Sequence, residues 1–132
     1  MTEENEHKQI CDYIRLQYPD IIFNTDLSGI KLTIGQAKKV KKLRSNNSFP
    51  DLIIYESRKG KHGLFLELKK TGTVLFNRDG SLRKNEHLKA QYDMIEKLRA
   101  KGYESHFAVG FEGAKFIIDR YLKLQYKQIK DL

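Results

Sequence analysis

Residues 63–69 read Gly-Leu-Phe-Leu-Glu-Leu-Lys, and no other stretch of the chain restricts the fold as tightly. Successive side chains of an extended strand point to opposite faces, so Leu64, Leu66 and Leu68 share one face and Phe65, Glu67 and Lys69 the other. A run apolar on both faces belongs in the middle of a sheet covered by helices. Glu67 and Lys69 are then neighbours in a covered position, where an unpaired charge costs several kcal/mol. Something must compensate them, and a bound metal ion would do so.

The rest of the chain supplies the sheet and its covering. Residues 3–18 place Ile10, Cys11, Ile14 and Tyr18 at helical spacing behind an acidic first turn. Pro19 and Asp20 end that helix, and Ile21, Ile22 and Phe23 form a short strand before a turn-rich stretch at 24–29. Thr33 and Gln36 have capping-box spacing and open a short helix carrying Lys38, Lys39, Lys41, Lys42 and Arg44. Residues 51–55 and 63–69 are two strands joined by a polar, glycine-bearing connection, as in an antiparallel hairpin. Residues 71–85 show no period and read as a long functional loop. A helix at 86–101 stops at Gly102, a strand follows at 103–109, and a closing helix runs over 112–125. The order α, β, short α, β, β, α, β, α predicts an α/β fold, a mixed sheet of about four strands flanked by helices with a right-handed crossover.

Length and composition narrow the class. The 132 residues fit one domain, 1–132. No window approaches the roughly 18 apolar residues that span a bilayer, and the charged start lacks a signal-peptide core, so the sequence predicts no membrane partner. The lone Cys11 excludes an internal disulfide and a multi-cysteine zinc site and suits a reducing, cytoplasmic compartment. A net charge of +8 favours a polyanionic partner, nucleic acid first, and the lysines from Lys38 to Arg44 are the candidate track along a DNA backbone. His7, His62, His87 and His106 share no metal-ligand spacing and read as surface or backbone-bonded residues.

Asp51 follows Pro50 at the mouth of the preceding strand, and a hairpin of this length brings its carboxylate toward Glu67. Two carboxylates, a strand carbonyl such as that of Leu68, and several waters make a hard-oxygen site of the kind Mg2+ prefers. Such an ion lowers the pKa of water and polarises a phosphoryl oxygen, and Lys69 stabilises charge in the transition state, which together points to phosphodiester hydrolysis. The same residues also fit a plain ion pair at a sheet edge, with Asp51 capping a turn.

Phe49-Pro50-Asp51, followed after the hairpin by Glu67-Leu68-Lys69, resembles the signature of the PD-(D/E)xK nuclease superfamily. Gln91, Leu98 and Gly102 on the next helix make the chain similar to the small stand-alone VRR-NUC domains typical of phages and bacteria. The resemblance implies a restriction-endonuclease-like core. It makes Asp51 and Glu67 metal ligands, Lys69 the catalytic lysine, Gln91 a lining residue, and Glu6 a holder of the metal's hydration shell. It implies an Mg2+-dependent endonuclease, with Mn2+ able to substitute and no small-molecule cofactor, cutting branched DNA such as Holliday junctions in the host cytosol. Cutting two strands symmetrically requires two sites and hence a homodimer, and Ile117, Ile118, Tyr121, Leu122 and Leu124, with Tyr126, Ile129 and Leu132 beyond, give the last helix more apolar surface than a small sheet needs. The chain departs from the family pattern where Asn47, Ser48 and Phe49 replace a glycine before the Pro-Asp pair, and where lysines replace an arginine-rich approach. Two rivals share the core: a sequence-specific restriction-type nuclease, and a non-catalytic DNA-binding module or assembly subunit.

Overall fold

A computed structural model of the protein describes residues 2–26, 33–45 and 48–130. The remainder of the turn-rich stretch through Gly29, Asn47, the side chains of Leu124, Tyr126 and Ile129, and all of Leu132 lie outside the described residues.

The elements follow the predicted order: α1 (Glu3–Gln17), β1 (Phe23–Thr25), α2 (Ile34–Lys42), β2 (Leu52–Ile54), β3 (Leu64–Lys69), α3 (Glu86–Ala100), β4 (Glu104–Val109) and α4 (Gly110–Lys130). The sheet runs β1-β2-β3-β4, antiparallel for its first two pairings and parallel between β3 and β4, so it is mixed, as the hairpin and crossover require. The β2–β3 connection narrows to an Arg58↔Lys61 bridge closed by Lys59 and Gly60, both with positive φ (49° and 77°), the conformation of a tight two-residue hairpin turn. The first strand sits two residues later than the apolar run 21–23 suggested. Pairing with β2 sets its position, matching Phe23 to Ile54 and Thr25 to Leu52, and leaves Ile22 exposed.

The leucine face of β3 behaves as its alternation dictates. Leu64, Leu66 and Leu68 are buried with Leu52 and Ile54 of β2, under Ile10 and Ile14 of α1 and Ala114, Ile118 and Leu122 of α4. On the other face α3 packs along β4 and reaches across to β3: Phe65 meets Tyr103 edge-on with ring centroids 5.1 Å apart, and Phe107 stacks on Tyr92 at 6.4 Å. Asp119 ties α4 to α1, accepting from the hydroxyls of Tyr13 (2.5 Å) and Tyr18 (2.6 Å). Ile118, Tyr121 and Leu122, offered above as surplus apolar surface, are buried inside this one chain. No helix among the described residues is long and apolar enough to cross a membrane.

The short helix α2 is of another kind. Its Thr33–Gln36 capping box forms as read, at 3.1 and 3.0 Å, yet the helix buries no residue, and Ile34 and Leu43 at its two ends are 80% and 86% exposed. Lys38, Lys39, Lys41 and Lys42 are all exposed along it.

Candidate active site

The β2–β3 register sets Leu52 against Leu66, and one step further along both strands Asp51 comes level with Glu67. Pro50, fully buried and without an N–H to give a ladder, ends the strand there. The Asp51 carboxylate accepts from the Leu68 N–H at 2.8 Å, and the Asp51 carbonyl accepts from the Asp26 N–H at 2.8 Å. Glu67 is 5% exposed. The two carboxylates stand close enough for each to act on the other's ionisation. Burial, and after it the nearness of Asp51, pushes Glu67 up to about 9, and burial raises Asp51 as well.

Lys69 reaches this pair through Gln91. Its ammonium donates to Gln91 Oε1 at 2.6 Å, and Gln91 Nε2 donates in turn to Glu67 Oε1 at 2.7 Å. Lys69 also stands 5.9 Å above the Phe107 ring, which fixes the stem over the α3 face. Gln91 is buried and has both amide ends engaged, so its orientation is set by the lysine and glutamate it joins. The sequence-predicted Asp51, Glu67, Lys69 and Gln91 therefore come together where β2 and β3 meet, the last three in one chain of hydrogen bonds.

Glu6 does not join them. Its carboxylate accepts from the Thr71 N–H at 2.9 Å, from the Thr71 hydroxyl, and from the Phe111 N–H at 3.3 Å, hydrogen bonds that hold it below the usual carboxylate range. Gly110, at φ 69°, makes the approach possible, because a Cβ there would lie 2.4 Å from Thr71 Oγ1. The geometry gives Glu6 the job of clamping the end of β3 to the start of α4. The Arg44 guanidinium pairs with Asp26 and lies 6.0 Å above the Phe49 ring, anchoring the end of α2 beside the site.

Three residues passed over in the sequence belong here. His7, read above as a surface or backbone-bonded residue, lines a cleft of about 700 Å3 together with Glu3, Cys11, Asp26, Asp51 and Leu68, and its Nε2 is buried with no hydrogen-bond partner among the described residues. His87 Nε2 stands 3.1 Å from Gln91 Nε2, and Asp26 is near enough to help raise Glu67. The i, i+4 spacing of His87 and Gln91 was the available signal. Cys11 is buried at the back of the cleft, and burial pushes its thiol up, which keeps it unreactive.

Among the described residues no group of three or more His, Cys, Asp and Glu side chains is disposed to hold a metal by itself. The donor set present is two opposed carboxylates beside strand backbone. Two buried carboxylates that resist ionising when alone can both ionise beside a divalent cation, and few protein oxygens suit an ion that keeps its water. The residues fit Mg2+.

An α/β domain with a mixed four-stranded sheet, helices on both faces and an Asp–Glu–Lys cluster where β2 and β3 meet is a restriction-endonuclease-like domain. No protein-family model matches the chain, and a search of curated proteins finds no match. Among solved structures the chain is similar to a "VRR_NUC domain protein", with a TM-score of 0.66 and 26% identity over 94% of this chain and 90% of that one. The fold is that of a VRR-NUC, nuclease-type domain.

Proposed function

We propose that the protein is a Mg2+-dependent, structure-selective endodeoxyribonuclease that hydrolyses phosphodiester bonds in branched DNA, resolving Holliday junctions as a homodimer. The observation that carries this reading is the hydrogen-bonded chain from Lys69 through Gln91 to Glu67, set opposite Asp51 at the edge of a cleft. Asp51, Glu67 and the Leu68 carbonyl would hold Mg2+, or Mn2+ in its place, and the ion would supply Lewis-acid activation of the phosphodiester and of water. Lys69, held by Gln91, is placed to neutralise charge developing on the phosphate. Burial of Glu67 excludes bulk water from the acid side of the cluster, which strengthens that interaction. The exposed lysines of α2 supply a backbone track independent of base sequence.

The test is incubation of a labelled four-way junction and a linear duplex of matched sequence with the protein, in Mg2+ and in EDTA. Cleavage of the junction in Mg2+ alone, with the duplex spared, is the expected result. Equal cutting of both overturns structure selectivity, and binding without any cutting leaves the non-catalytic module.

A further inference from the structure

Residues 71–85, read above as a loop without period, form a hydrogen-bonded finger. Phe76 and Leu82 pair as an antiparallel bridge, Asn77 N–H donates to the Ser81 carbonyl at 2.8 Å, and Arg83 N–H donates to the Leu75 carbonyl at 2.9 Å. Asp79 accepts from the Ser81 N–H at 2.9 Å, and Gly80 turns the tip at φ 87°. Leu75 is buried and anchors the finger's base, while its neighbours Val74 and Phe76 point away from the body and are 58% and 46% exposed. A long loop costs entropy to order, and this one is ordered by its own hydrogen bonds with two large apolar side chains left in water. The same stretch of chain, with Lys70 just before it, carries Arg78, Arg83 and Lys84 against the single acid Asp79. The finger leaves the sheet directly after Lys69 and returns to α3 just before His87 and Gln91, so both of its ends are fixed at the catalytic cluster.

We infer that this finger is a second DNA-contacting element, in which Phe76 stacks on the base pair laid open at a branch point while its basic residues hold the flanking phosphates. Apolar side chains on rigid basic elements enter base steps where stacking is already broken, and an aromatic ring accepts any base. A continuous duplex offers no such open face, so the contact selects branched DNA. The inference rests on the reading of branched DNA as the substrate.

Affinity measured in EDTA separates the two, because it requires no chemistry. Phe76→Ala is expected to weaken binding to a four-way junction roughly 5- to 150-fold, the range for loss of one stacked base, and binding to a matched duplex by less than about twofold. Phe76→Tyr is expected to restore junction binding. A 2-aminopurine at the branch point should be quenched by the wild type and not by Phe76→Ala. Unchanged junction affinity, equal loss on both DNAs, or a switch from dimer to monomer in sedimentation would overturn the inference, the last by showing that the finger packs on a second copy. Junction-selective binding through Phe76 without cleavage in Mg2+ would sink the nuclease reading and leave the finger standing.

Discussion

Replacing Glu67 by glutamine removes the buried acid while keeping its shape, and the structure sets both the sign and the size of the effect. In the metal-free protein Glu67 is held near 9 against the ordinary 4.5, by burial first and Asp51 second. The folded chain is therefore the one that keeps the proton. Its stability is fully present below about 4.5 and is lost as pH rises toward about 9. One proton corresponds to about 1.4 kcal/mol per pH unit, so the ceiling between about pH 6 and about pH 8 is roughly 3 kcal/mol. At about 4 °C per kcal/mol for a chain of this size, that is a fall in Tm of up to roughly 10 °C. The glutamine amide can still accept from Gln91, so the variant loses this share of the slope without losing that hydrogen bond. Thermal melts in EDTA across this range, repeated with saturating Mg2+, measure both. The wild type should lose Tm with pH in EDTA and recover it in Mg2+, while Glu67→Gln stays flat and does not respond. Equal pH slopes, or an equal Mg2+ response, would refute the account of Glu67 as a buried acid waiting for a cation.

Changing Lys38, Lys39, Lys41 and Lys42 to Gln should weaken binding to every DNA shape and flatten the log-log salt dependence by about one unit per lost phosphate contact, with cleavage at saturating DNA retained; an unchanged slope returns α2 to a merely solvated helix. Glu6→Gln should lower thermal stability and leave Mg2+ affinity near the wild-type value, since its carboxylate clamps Thr71 and Phe111; lost Mg2+ affinity at unchanged stability restores the hydration-shell role. Sedimentation at micromolar concentration should give a dimer, and a monomeric mass persisting with one junction bound would leave a nickase or flap-cutting enzyme.

Strand phase was the part of the site most legible in the sequence. Alternation over 64–69 fixes which side chains share a face whatever packs against them, so the pairing of Glu67 with Lys69, and of Asp51 with both, followed once the hairpin was read. Gln91 came from resemblance alone; nothing in its spacing says that its amide would bridge lysine and glutamate. The clamp made by Glu6 was not legible at all, because its environment is decided by Thr71 and Gly110, which are distant in sequence and approach only when β3 and β4 pair. The finger was hidden for another reason: a hairpin held by one bridge and a turn has too few residues to show a period. Of the apolar helix residues attributed to a dimer, Ile118, Tyr121 and Leu122 are core, while the side chains of Leu124, Tyr126, Ile129 and Leu132 lie outside the described residues.

Single-turnover cleavage of a labelled four-way junction, with junction affinity measured alongside, tests the central claim most directly. Wild type should cut in Mg2+ and stop in EDTA, while Asp51→Asn, Glu67→Gln and Lys69→Ala each fall by ~100-fold or more at unchanged affinity. Cutting that survives EDTA, or any of the three variants turning over near the wild-type rate, would contradict it.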